Sequence, residues 1–247
     1  MRPSPATRPR FLPGIVCACT LLLARLSCAD SMSGLGGSIG VTSDYVYRGV
    51  SLSAGNPAIQ ADLHYRTSGG WVVGTWASYA DMGADDGPGS ELDLYISRGW
   101  ILSPDWDLRT TLTHYTYPDD PRRASYDYDE LVASLGYQSR LFATVAWSPN
   151  ATRYSHSGWV EDSTALSYEL TAVQPLIGQL AASAGVGYYD LARELESDYW
   201  YWNVGLACSL GHAQFAVSYI DTDQNASRAL GYENTGGRWA GSVTWRF

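Results

Sequence analysis

The chain has 247 residues, with 25 Gly, 18 Tyr, 10 Trp, only 4 Phe and 4 Cys, and all 16 of its basic residues are Arg. The formal net charge is −9 and the mean hydropathy is −0.17. This excludes a nucleic-acid binder built on a basic stripe, because phosphates need cations opposite them. The excess of Tyr and Trp over Phe favours a boundary between water and hydrocarbon, where amphipathic rings are stable.

Arg2, Arg8 and Arg10 precede an apolar run, FLPGIVCACTLLLA, at 11–24. Ser27, Cys28 and Ala29 then place small residues before Asp30. This pattern predicts a secretory signal over 1–29, cleaved after Ala29. Arg25 interrupts the pattern, so the exact cut stays open, and it also disfavours a lipoprotein anchor at Cys28. Without this segment 12 Arg face 25 Asp and Glu, a net charge of −13. Only Cys208 survives the cut, so neither an internal disulfide nor a cysteine metal site is expected. Beyond residue 29 no apolar run is long enough for a membrane helix.

Twelve segments with strand character follow. They fall at 35–48, 58–66, 70–80, 90–99, 106–117, 127–138, 140–148, 159–170, 177–189, 199–210, 212–221 and 236–247. Most show period two, which puts alternate residues on opposite faces. At 58–66, Ile59, Ala61, Leu63 and Tyr65 oppose Gln60, Asp62, His64 and Arg66. At 199–210, Trp200, Trp202, Val204, Leu206, Cys208 and Leu210 oppose Tyr201, Asn203, Gly205, Ala207 and Ser209. In the last segment Trp239, Gly241, Val243, Trp245 and Phe247 oppose Arg238, Ala240, Ser242, Thr244 and Arg246.

The face opposite the apolar one is small or polar, whereas a soluble sandwich would carry large aliphatic side chains inward. Most segments reach the ~9–11 residues that a tilted membrane strand needs, above the ~5–6 of soluble strands. The joins alternate between tight turns, as at 138–140 and 210–212, and longer polar stretches, as at 117–127 and 221–235. Aromatic residues cluster near segment ends: Tyr45, Tyr47, Tyr65, Trp71, Tyr79, Trp100, Trp106, Tyr115, Tyr117, Trp147, Trp159, Tyr188, Tyr199, Trp200 and Tyr219. Together these features predict an all-β, 12-stranded antiparallel transmembrane barrel over 30–247, with two aromatic girdles. In lipid every backbone polar group must be bonded, so the last strand must pair with the first. The soluble β-sandwich remains the competing fold.

The block SIGVTSDYVYRGVSLSAGNPAIQADLHY at 38–65 is more specific than alternation. With GTWAS at 74–78, SELDLYISRGW at 90–100, YTYPD at 115–119 and SAGVGYYD at 183–190, it resembles the TorF-type porin family, Gcw_chp-like outer-membrane barrel proteins of bacteria. The resemblance covers essentially all of the chain after the signal. It implies a barrel in the cell outer membrane, and brings neither a substrate nor catalytic residues. The ending Trp245–Phe247 resembles the C-terminal signal that barrel-assembly machinery reads. The charged stretches 119–130 and 190–200 depart from the resemblance.

No nucleophile elbow, zinc-protease helix, phosphate loop or paired-cysteine motif occurs. Parity places His114 on the lipid side, an odd position for an imidazole, and leaves a lipid-modifying enzyme as a minor alternative. Ser97 and Ser134, the hydroxyls considered beside it, have the wrong parity or setting. The acidic groups Asp81, Asp85 and Asp86, Asp119 and Asp120, and Asp221 and Asp223 lack calcium-loop spacing, so solvated loop charge is expected there. No cofactor and no metal are expected.

Parity nominates a lumen set. Arg48, Arg66, Arg109, Arg238 and Arg246 supply positive charge, and Asp62, Glu91, Asp93 and Glu130, with Asp44 and Glu169, supply negative charge. Opposite charges across a narrow bore would either filter ions weakly or plug the bore. The functional expectation is a narrow passive porin for ions or small polar solutes, and not an enzyme. Its partners would be outer-membrane lipids, the assembly machinery and the solute, with a homo-oligomer left open. A non-conducting structural or adhesive barrel is the alternative.

Overall fold

A computed structural model of the chain describes residues 33–79, 89–119, 126–154, 160–191, 197–230 and 234–247. The predicted signal, the acidic residues of 80–88 and 120–125, His156 and Trp159 lie outside these.

Twelve strands form one closed antiparallel barrel. They are β1 (Gly34–Thr42), β4 (Ala58–Arg66), β5 (Trp71–Tyr79), β6 (Ser90–Ile101), β7 (Trp106–Thr116), β8 (Tyr128–Tyr137), β9 (Leu141–Tyr154), β10 (Val160–Pro175), β11 (Leu180–Leu191), β12 (Ser197–Leu210), β13 (Ala213–Thr222) and β14 (Arg238–Arg246). Each pairs with its sequence neighbour in the barrel, and β1 pairs with β14 to close the sheet. Closure leaves no open edge, which is what a membrane requires of strands. At the seam, Gly37 and Phe247 exchange backbone hydrogen bonds at 2.9 and 3.0 Å. A Cβ on residue 37 would stand 2.6 Å from the Asp62 carbonyl oxygen and 3.0 Å from the Phe247 ring, so the close approach needs glycine.

Alternation decides which way each side chain points. Ile39, Val41, Leu63, Val73, Leu94, Leu112, Leu131, Val145, Leu170, Val204, Phe215 and Val243 are all exposed on the outer wall. In water such a wall would be an aggregation surface, whereas hydrocarbon solvates it. Trp71, Trp106, Trp147, Trp200, Trp202, Trp239 and Trp245 are exposed on the same wall. Arg98 also points outward, its guanidinium 5.0 Å from the Trp71 ring centroid and 5.4 Å from that of Trp100. There it keeps its charge at a strand end while its stem covers apolar surface.

Tight turns join β4–β5, β6–β7, β8–β9, β10–β11 and β12–β13, and define one rim. In the β8–β9 turn Gln138 and Ser139 both have positive φ, 50° and 53°, and Arg140 N bonds Tyr137 O at 2.9 Å. That is the two-residue turn whose twist matches antiparallel strands. The longer joins define the other rim. In β9, Pro149 and Asn150 fall where the register with β10 shifts between Ser163 and Ala165, a bulge that accommodates a residue without an amide hydrogen.

Three sequence expectations need correction. The segment 35–48 is not one strand: β1 stops at Thr42, and residues 43–57 fold into the barrel as a small hairpin of β2 (Val46–Tyr47) and β3 (Val50–Ser51). Both parities from Asp44 to Ser53 are buried, because this segment is surrounded by the wall and has no lipid side. Tyr45, Tyr47, Tyr115, Tyr117 and Tyr199 therefore do not belong to the girdles; they are buried inside. Tyr115 shares parity with Arg109, Thr111 and Thr113, which fixes it inward. A short helix, α1 (Gln224–Leu230), also interrupts the β13–β14 join. Asp223 caps it by accepting from the amides of Asn225 and Ala226, at 3.0 and 3.3 Å. Its Ala226 and Leu230 are buried in the same internal cluster as the tyrosines.

Candidate functional site: the lumen and its inward hairpin

The hairpin hangs from the long-loop rim and turns at Arg48 and Gly49, with φ of 43° and 85°. Gly49 is fixed twice, by its positive φ and by Thr222 and Tyr201, which occupy the place of a Cβ. Asp44 secures the base of the hairpin. It accepts from Ser51 Oγ at 2.6 Å and from Arg238 at 3.1 Å, while Tyr45 N donates to Ser53 Oγ at 2.8 Å. A further backbone bond, Ser51 N to Asn234 O at 2.8 Å, ties the hairpin to the β13–β14 join.

At the tip, Arg48 donates to Glu130 of β8 at 2.8 Å, and both side chains are about 95% removed from solvent, at 5% and 4% exposure. The guanidinium also lies over the rings of Tyr47 and Tyr189, at 4.4 and 4.5 Å from their centroids. Burial works against its charge, but Glu130 leads the groups that offset burial and hold its pKa well above the ordinary arginine value. Tyr45 OH donates to Glu91 at 3.1 Å, and Asp93 is buried on the same inward face two residues along β6. Around the tip the tyrosines pack on one another. Tyr115 stacks on Tyr128 at 4.4 Å, Tyr117 meets Tyr126 edge-on at 5.9 Å, and Tyr189 meets Tyr199 at 5.8 Å.

Beyond the tip, toward the short-turn rim, the bore is hollow. A cavity of about 330 Å³ is bounded above by Tyr47 and Arg48 and walled in part by Trp76, Tyr95, Arg109 and Glu169. Its lower wall includes Thr111, Ser134 and Thr144, small polar residues that leave space where the upper wall has tyrosines. Glu169 accepts from Thr171 at 2.8 Å and from Tyr201 OH at 3.1 Å. Arg109 lies on this wall, close enough to Asp107 and Arg66 to feel the charge of each.

The nominated residues sort by depth. Arg48 and Glu130 meet across the bore, and Glu91 and Asp93 sit beside the hairpin. Arg238 holds Asp44 at the long-loop end. Asp62 lies lower, taking hydrogen bonds from Tyr95 OH at 2.7 Å and pairing with His64 at 2.6 Å. Arg66 and Arg246 stand at the short-turn rim, Arg246 donating to Gln214. Trp245 and Phe247 are exposed on the outer wall at the seam. Pattern reasoning missed Tyr189, Trp76 and Tyr201, although the inward parity of Tyr201 with Asn203 and Gly205 was visible.

His114 faces outward, as its parity predicts, and pairs at 2.8 Å with Asp129, the residue opposite it on β8. Asn150, set by the β9 bulge, binds both the amide and the carboxylate of Asp129. The Ser97 hydroxyl is committed inside the sheet to the Thr110 carbonyl. Ser134 accepts from Thr144. Neither stands beside His114. Among the described residues no cluster of His, Cys, Asp and Glu is arranged to hold a metal ion.

The family model described as "Bacterial protein of unknown function (Gcw_chp)" matches residues 27–246. The chain belongs to the Gcw_chp family. No curated protein matches it in sequence. Among solved structures, the Gcw_chp barrel is similar to the NanC porin, with a TM-score of 0.59, 8% identity, and coverage of 86% of this chain and 98% of that one. It is also similar to the KdgM porin, with a TM-score of 0.51, 8% identity, and coverage of 87% and 99%. At such identity the likeness is one of fold: a Gcw_chp chain builds the same kind of closed barrel over nearly the whole length of these porins.

Proposed function

We propose that this Gcw_chp protein is an outer-membrane porin, a narrow passive channel for ions or small polar solutes, constricted by its own hairpin. The observation that carries this reading is the polar hollow beneath the hairpin, about 330 Å³ in volume, inside a closed barrel with a hydrocarbon-suited wall. Eight strands enclose a bore that side chains fill, and sixteen leave an open channel. Twelve strands lie between, so the residues inside decide. The barrels of the NanC and KdgM porins, alike in fold, support the reading, as does the motif block that resembles TorF-type porins. KdgM has also been solved "in complex with disordered oligogalacturonate", which is a finding about that protein and leaves the solute here to experiment.

In this reading the long-loop rim faces the cell exterior and the tight turns face the periplasm. The segment 1–29 directs export, and Trp245 with Phe247 serves recognition by the assembly machinery. The lumen role of Arg66, Arg109, Asp62 and Arg246 belongs to the same proposal. Three carboxylates, Asp93, Glu130 and Glu169, face two arginines, Arg48 and Arg109, around the hollow, which favours cations weakly. No chemical step is assigned, and the outward pair of His114 and Asp129 serves contact with the headgroup layer.

One observation favours the non-conducting alternative: the Arg48–Glu130 pair spans the bore. Single-channel recording on protein extracted from outer membranes separates the two. A stable unit conductance that changes with Arg109→Glu supports the porin. Insertion without conductance, in wild type and in Glu130→Gln alike, overturns it.

A further inference from the structure

The groups that hold Arg48 belong mostly to the barrel wall. Glu130 lies on β8 and takes the guanidinium at 2.8 Å. Tyr189 lies on β11 and presents its ring face at 4.5 Å. Tyr115 on β7 steadies the other carboxylate oxygen with a hydroxyl contact at 3.4 Å. A carboxylate with one aromatic ring face beside it is chemistry that recognises a guanidinium or an ammonium. The wall thus carries a receptor for an organic cation, and the hairpin supplies the occupant.

Arg48 is an imperfect occupant. Its Nη1 is buried without a hydrogen-bond partner among the described residues. Its backbone sits at φ 43°, in the left-handed region that residues with a Cβ adopt only under strain. A free cation carries neither constraint and can turn to use all of its donors. Access is also available: Tyr47, Arg48, Tyr115 and Glu130 all line the hollow, so a solute there reaches the site without passing the hairpin.

We propose that this wall site binds small organic cations bearing a guanidinium or ammonium group, which compete with Arg48 for Glu130 and Tyr189 and, once bound there, obstruct the bore. The route of entry rests on the channel reading above; the site itself does not.

The test uses guanidinium chloride, with sodium chloride as the ionic-strength control, on protein extracted from outer membranes. Arg48→Ala vacates the site. Guanidinium is expected to block its conductance at a concentration about tenfold or more below that needed for wild type, a difference of ~1.4 kcal/mol or more. Adding Glu130→Gln should abolish that block, and calorimetry in detergent should show binding to R48A and none to R48A/E130Q. Equal block with and without Glu130, or no binding to R48A, overturns the proposal. Binding that depends on Glu130, in a protein that never conducts, keeps the site and sinks the channel; conductance without such binding does the reverse. If R48A fails to fold, Arg48→Lys retains the charge but not the planar stack. Guanidinium should then block it more readily than wild type, and an unchanged sensitivity overturns the proposal.

Discussion

The same strands carry two different interiors. Toward the long-loop rim their inward positions are Tyr115, Tyr128, Tyr189, Tyr199 and Tyr201, closed around a hairpin that brings Tyr45 and Tyr47. Toward the short-turn rim the inward positions are Thr111, Ser134, Thr144, Thr171, Ser183, Gly185 and Ala207, and the bore is hollow. Parity is the same in both halves, so alternation alone does not make a pore. The size of the inward residue decides whether a barrel of this girth is packed or open.

The largest way to break this contrast is to remove the anchor that holds the packed half. Glu130→Ala leaves Arg48 charged and buried with its carboxylate gone, a loss of roughly 3–5 kcal/mol in comparable pairs. The urea midpoint for unfolding in detergent should fall, and unit conductance should rise as the hairpin loosens. An unchanged midpoint would mean that the tyrosine packing alone seats the hairpin.

Gly187→Val tests the packing directly. A side chain there meets the Tyr201 ring, which is 3% exposed and held through its hydroxyl to Glu169 at 3.1 Å. Overpacking of this kind costs about 1–3 kcal/mol. The expected result is a lower midpoint with conductance altered little; full stability would show that Tyr201 moves freely.

Thr144→Tyr makes the hollow half resemble the packed one. The ring enters existing space, so stability should change by no more than about 1 kcal/mol, while conductance should drop sharply. Undiminished conductance would place the ion path elsewhere. The smallest effect is expected outside: the His114–Asp129 pair is about half exposed, at 48% and 43%, and His114→Ala should cost less than about 1 kcal/mol and leave conductance unchanged.

The barrel was legible in the sequence because its cause is local. Period two, strand length and alternating join length are properties of neighbouring residues, and they locate strands such as Ala58–Arg66 and Ser90–Ile101 to within a few positions. The hairpin was hidden by the same logic. Tyr45 and Tyr47 alternate as a girdle strand would, and only an enclosing wall makes both parities of 44–53 buried. One local sign was present: Arg48–Gly49 is a two-residue turn with glycine second, followed by the Ser-rich stretch that bonds Asp44. The charged residues were visible singly, but Arg48–Glu130 and Asp44–Arg238 join positions brought together only by the curvature of the sheet. Asp129 was missed as the partner of His114 because cross-strand register is not written in either strand alone.

The Arg48–Glu130 contact also bears on how such a barrel is assembled. β8 lies five strands from β1 by one way round the barrel and seven by the other. In a flat sheet, at about 4.8 Å per strand, five strands are roughly 24 Å, a span that the folded hairpin and an arginine side chain do not cover unless the six residues that follow Thr42, up to Arg48, are pulled straight. The pair as the folded hairpin makes it is therefore not expected in an unrolled intermediate. With the hairpin folded it forms once the two halves face each other, so a spectroscopic probe on Tyr47 would report the moment of rolling up, and a chain that had paired its strands in the wrong order would leave that probe silent.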